Sequence, residues 1–124
     1  MAFITRDQFL AADDLPTVEV PLPKAYGEGA VMLLRTLTGT ERAKLENRYT
    51  GEAARSDTGG FRAAILAAVC VEENGELMFT QEDAAALLEK NAATLETIVT
   101  AASELCGFTK KDVDELAKNS EDSP

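Results

Sequence analysis

No histidine occurs among the 124 residues, so the reactive side chains stand without the commonest general base and the commonest metal ligand. Serine and cysteine nucleophiles need a neighbour to take their proton, and neither a Ser–His nor a Cys–His arrangement can form. The two thiols, Cys70 and Cys106, lie in apolar surroundings (AAVCVEE and SELCGF) with no CxxC partner. They read as small buried hydrophobes of a reduced, cytosolic protein rather than as a disulfide or a zinc site. Cys70 sits within a core-like stripe, and Cys106 sits at a helix C-terminus before Gly107; both settings disfavour a thiolate. Carboxylates cluster at Asp13 and Asp14, at Glu72, Glu73 and Glu76, and at Asp112, Asp114 and Glu115. Each cluster falls in a turn or an exposed helix start, where water solvates the acids and no acid–base pair is set up. The segment Glu72–Glu76 lacks the D-x-D-x-D-G spacing of a calcium loop, and Gly27-Glu-Gly29 and Gly59-Gly60 match neither phosphate-binding loop. No catalytic residue, metal or cofactor is expected, and by elimination the chain reads as a binding or assembly module, not an enzyme.

The elements that would build such a module follow from periodicity. Thr5 with Gln8 makes a capping box for a short helix over about 6–13. Val18, Val20 and Leu22 alternate along a strand that Pro21 assigns to a sheet edge. A glycine-containing loop at 26–29 leads to a second strand over 30–37, so a β-hairpin is expected over about 17–37. Thr38 with Glu41 caps a helix over about 39–50, with Leu45 and Tyr49 on one face. Gly51–Gly60 is a breaker cluster. Phe61, Ile65, Leu66, Val69 and Cys70 then fall on one stripe of a helix over 61–71. Asn74-Gly75 predicts a type I′ turn before Leu77-Met78-Phe79. Thr80 caps a helix over about 81–89 with Ala84, Leu87 and Leu88 inward. Asn91 opens a helix over 92–106, with Leu95, Ile98, Val99, Ala102, Leu105 and Cys106 as its stripe and Gly107 as its stop. Thr109 with Asp112 caps a last helix carrying Val113 and Leu116. The fold class is therefore α+β: a mostly helical single domain over residues 1–117, with a small N-terminal β-hairpin, about five helices (the helical part over about 38–117) and a flexible C-terminal tail over 118–124.

Charge narrows the partner class. The formal net charge is −10, and it is unevenly placed. Residues 1–62 hold 8 basic and 9 acidic side chains, whereas residues 63–124 hold 4 and 13. A chain this acidic repels nucleic-acid phosphate, so no nucleic-acid partner is expected. The opening MAFITRDQFL carries charges and no long apolar core, so no secretory signal is expected. The longest apolar run, Ala63–Val71, is nine residues, and no membrane span is expected.

Several segments, in order, resemble the tail assembly chaperone family of long-tailed bacteriophages. They are Thr5-Arg-Asp-Gln8 with Ala11-Ala-Asp-Asp-Leu-Pro16 and Val18-Glu-Val-Pro21, Leu37-Thr-Gly-Thr-Glu-Arg42, Cys70-Val-Glu-Glu-Asn-Gly-Glu-Leu-Met-Phe79, and Leu105-Cys-Gly-Phe followed by Asp112-Val-Asp-Glu-Leu-Ala-Lys-Asn-Ser-Glu121. Their order and spacing, over most of the chain, carry the resemblance. It implies a protein of the infected host cytoplasm that binds the tape measure protein, keeps it soluble and helps tail tube protein assemble around it, and that is absent from the mature virion. On this reading the 61–71 and 92–106 helices supply core and partner groove together, through Phe61, Ile65, Val69, Leu95, Ile98, Val99 and Ala102. The apolar stripes and the Pro21 edge strand also allow a homo-oligomer. The rival reading is a small structural virion protein, such as a head–tail connector or tail completion protein.

Overall fold

A computed structural model describes residues 2–48 and 60–108 of the chain. Helix α1 (Arg6–Ala11) starts at the expected box: the Gln8 amide donates to the Thr5 hydroxyl at 3.2 Å, and the Thr5 amide donates to Gln8 Oε1 at 3.0 Å. It ends short of residue 13 because Ala12 is already extended. Strand β1 (Thr17–Pro21) pairs antiparallel with β2 (Val31–Arg35), Thr17 opposite Arg35 and Pro21 opposite Val31. A 3-10 turn at Lys24–Tyr26 lies between them. β1 is an edge strand, where a residue without an N–H is tolerated.

The hairpin gains a third strand. Helix α3 (Gly60–Val69) stops before the end of the 61–71 stripe, and Cys70–Val71 becomes β3, paired with Leu34 and Leu33 of β2. Two effects explain the difference: Val71 is β-branched and suits a strand, and the inner edge of β2 would otherwise leave backbone groups unpaired. The Asn74-Gly75 turn is also of another type. The Gly75 amide donates to the Glu72 carbonyl and the Glu72 amide to the Glu76 carbonyl, each at 2.8 Å. Only Gly75 has positive φ, at 89°, whereas a type I′ turn needs two such residues. The Asn74 side chain instead accepts from the Glu76 amide at 2.9 Å, which suits an ordinary turn with glycine in the bulge position.

Helix α2 (Gly39–Arg48) carries the Thr38–Glu41 box, with bonds of 2.9 and 3.2 Å. The 81–89 segment begins as a 3-10 turn, Gln81–Asp83, and continues as α4 (Ala84–Leu88). Ala84 and Leu87 are buried as expected; Leu88, about 100° round the helix from Leu87, is exposed. Helix α5 (Ala92–Cys106) runs between its expected caps: the Asn91 side chain accepts from the Thr94 amide at 3.1 Å, and Gly107 takes the left-handed φ of 79°. Tyr49, the 51–59 breaker, the Thr109 helix with Val113 and Leu116, and the 118–124 tail lie outside the described residues.

Among the described residues, five α-helices and a three-stranded antiparallel sheet form one mixed α+β unit. Its centre is α3, which packs against α5, α4, the Gln81–Asp83 turn and α2 and buries Phe61, Ala63, Ala64, Ile65, Leu66, Ala67 and Val69, with Val20 and Leu34 of the sheet in the same core. Four alanines on α3 let its neighbours approach closely, so the core is made by contact on nearly every side rather than by one wide stripe.

Candidate partner-binding groove

An open apolar groove of about 410 Å³ lies where the far end of the hairpin meets the first turns of α5. Its hairpin wall is Leu22, Tyr26, Ala30, Val31 and Met32; its opposite wall is Met78, Phe79, Leu87, Thr94, Leu95 and Ile98; Leu66 and Cys70 form the floor. Strand alternation explains one wall. β2 turns Met32 and Leu34 to one face, Leu34 fully into the core, while its first residue, Val31, points to the other face at the strand end and stays about half exposed. The other wall exists because the chain after β3 turns back, with the Met78 amide donating to the Cys70 carbonyl at 3.0 Å. That bond brings Met78 to the groove mouth, where it remains exposed.

Lys90 is the one charged residue in the lining. It is also the one basic residue in the sequence between 63 and 108, a stretch otherwise charged by glutamate and aspartate. A contiguous, more polar cleft of about 590 Å³ continues past Leu22 and Tyr26 along Thr94, Thr97 and Ile98. On the floor, burial pushes the Cys70 thiol up to about 12, so it presents a neutral apolar surface and no nucleophile. Cys106 is half-buried at the other end of α5. Among the described residues, no group of three or more Asp, Glu or Cys side chains comes together to hold a metal ion. No helix among them is long and apolar enough to cross a membrane.

The residues that the sequence marks as partner-binding divide in two. Leu95 and Ile98 line the groove. Phe61, Ile65, Val69, Val99 and Ala102 are buried in the core and form the packing behind it. The stripes on α3 and α5 face each other, so the groove opens beside that pair and not between its helices. Tyr26, Val31, Met78, Phe79 and Lys90 are the lining residues that helical periodicity misses, since they come from a turn, a strand end and irregular chain. The apolar run Leu77-Met78-Phe79, following a turn with no helix to join, is the sequence signal for Met78 and Phe79 as apolar lining; Tyr26, Val31 and Lys90 have none.

No protein-family model matches the chain, and no curated protein matches it in sequence. Its fold does have a counterpart. The structure of the bacteriophage HK97 tail assembly chaperone superposes with a TM-score of 0.55, covering 84% of this chain and 95% of that one, at 12% sequence identity. At that identity the likeness is one of fold.

Proposed function

We propose that the chain is a phage tail assembly chaperone: it binds the tape measure protein, keeps it soluble and promotes assembly of tail tube protein around it. The observation that carries the reading is the fold shared with the HK97 chaperone over nearly the whole of both chains. The groove supports it, since an apolar trough with a charged rim suits an amphipathic helix laid in by its apolar face. In this reading the client meets Leu95 and Ile98 directly, and Phe61, Ile65, Val69, Val99 and Ala102 hold the wall behind them. The protein acts in the host cytoplasm and is left out of the finished virion. Co-expression with fragments of the phage tape measure protein tests the role. The expected result is a soluble fragment that co-purifies with the chain; an equally insoluble fragment with and without the chain removes the reading. Mass spectrometry of purified particles tests the last step, and a stoichiometric presence there favours a structural virion component instead.

A further inference from the structure

Phe79 lines the groove and also a second cleft, of about 350 Å³, between α2, the last turn of α3 and residues 77–81. Leu45 and Ala67 form the buried floor of this cleft, and Leu77 stands in its wall 51% exposed. Its rim is cationic, on a chain whose net charge is −10. Lys44 and Arg48 lie four residues apart on α2, so they share one face of the helix, about 6 Å apart along its axis. Glu41 is the one carboxylate in the lining, and the Arg35 guanidinium and the Thr38 amide already meet its charge. Lys44 is exposed and makes no ion pair. The cleft is also clamped. Arg48 Nη1 donates to Gln81 Oε1 at 2.6 Å, and Gln81 Nε2 donates to the Ala64 carbonyl at 3.5 Å. Those bonds tie α2 and the 3-10 turn to α3, and walls fixed in advance give up little freedom on docking.

We propose that this cleft docks an acidic amphipathic helix of another protein, apolar side chains on the floor beside Leu77 and Phe79, carboxylates against Lys44 and Arg48. Charge complementarity selects that occupant. Carboxylates at i and i+4 on the docking helix repeat the rise of about 6 Å that separates the two cations. A basic helix would meet repulsion at the rim, and a purely apolar one would strip water from Lys44 without replacing it. The cleft is separate from the client groove apart from the Phe79 ring, and its occupant does not depend on the proposed function.

Fluorescence anisotropy on the purified full chain tests it, with a labelled synthetic helix that carries a leucine stripe flanked by glutamates at every fourth residue. Salt of about 150 mM limits the reach of the chain's overall charge to about 8 Å. Wild type is expected to bind this peptide about tenfold more tightly than the same peptide with glutamine at each glutamate. Lys44→Glu is expected to abolish that difference with unchanged circular dichroism, since the side chain is exposed and unpaired. Leu77→Asp, on the apolar wall, is expected to weaken both peptides and repeats the measurement independently of the rim. Carbodiimide cross-linking followed by mass spectrometry then locates the peptide, with a glutamate joined to Lys44 as the expected product. Binding of neither peptide, equal binding of both by wild type, or Lys44→Glu behaving as wild type would each overturn the proposal. A peptide cross-linked to Lys90 instead would place it in the groove and overturn it too. So would a cross-link from Lys44 to a carboxylate of residues 109–124 or of a second copy, since the chain would then supply the occupant itself. These measurements contain no tape measure fragment, so their outcome is independent of the co-expression test.

Discussion

The guanidinium of Arg42 lies over the ring of Phe108, 4.2 Å from its centre. The same group donates from Nη1 to the Cys106 carbonyl at 3.0 Å, where α5 has exhausted its own donors. Phe108 in turn meets Phe61 edge-on, with ring centres 5.9 Å apart and planes at 84°. One side chain of α2 therefore caps the C-terminus of α5, supplies the positive charge that its dipole favours, and holds an aromatic lid on α3. Thr36 assists by donating its hydroxyl to the Leu105 carbonyl at 3.3 Å.

Replacing Arg42 tests that junction. Losing the cation–π contact and a charge-assisted hydrogen bond to a helix end should cost about 2 kcal/mol, a fall of roughly 8 °C in Tm for Arg42→Ala. Arg42→Lys should recover less than half of this, because an ammonium cannot both stack on Phe108 and reach the Cys106 carbonyl with a planar fork. Thermal melts by circular dichroism read both variants. A Tm for Arg42→Ala within about 1 °C of wild type would mean that the stack is ornamental.

Acid should weaken the other end of α2. Arg35 Nη2 contacts Glu41 at 3.1 and 3.3 Å, and the Thr38 amide donates to the same carboxylate at 2.9 Å. Burial works against the Glu41 charge, but the Thr38 hydrogen bonds and the Arg35 charge outweigh it and hold the carboxyl below its ordinary value. With the folded value depressed, the unfolded chain takes up its proton first as pH falls. The contribution of Glu41 is therefore complete above the unfolded value and is lost as pH drops through the folded one. Urea midpoints of wild type and Glu41→Gln should differ most near pH 7 and converge as pH falls below the ordinary carboxylate range. A gap that stays constant with pH would assign the effect to shape rather than charge.

Cys70 should be chemically silent in the folded protein. A thiol raised from 9.0 to about 12 holds about 1,000-fold less thiolate at pH 8, before any steric protection by the floor of the groove. In a Cys106→Ser variant, which isolates Cys70, a disulfide reagent should label the thiol only on addition of denaturant. Labelling at the rate of a free cysteine in native buffer would show that the groove floor opens.

Much of this was legible in the sequence, for reasons that differ by element. The capping boxes at Thr5 and Thr38 and the Asn91 and Gly107 ends of α5 are local chemistry, closed within four residues, and short-range rules locate them. The switch from α3 to β3 was not legible, because Cys70 and Val71 continue the helical stripe and leave it only to satisfy β2 from a distant part of the chain. The groove was half legible. Periodicity places Leu95 and Ile98 with Phe61 and Val69 on apolar faces, but the hairpin decides which of them it covers. Val31 and Met78 owe their exposure to what does not reach them, and no local pattern records that.

The uneven charge returns as a prediction about salt. At −10 per subunit, two copies repel each other, and the repulsion is concentrated in the half of the sequence that builds the groove walls Met78–Ile98. Lys90 is the single local exception, in the groove lining. Two opposing salt effects follow. Screening should weaken any attraction of Lys90 to acidic groups of another copy and weaken the general repulsion, and with one favourable charge against a net of ten unfavourable ones the repulsion dominates. Raising sodium chloride from 50 mM to 500 mM should therefore increase the associated fraction of wild type in sedimentation. Lys90→Glu should associate less than wild type at 50 mM, with the difference narrowing at 500 mM as the Debye length falls from about 14 Å to about 4 Å. Dissociation of wild type by salt would mean that specific ion pairs, and not apolar burial, drive any association of copies.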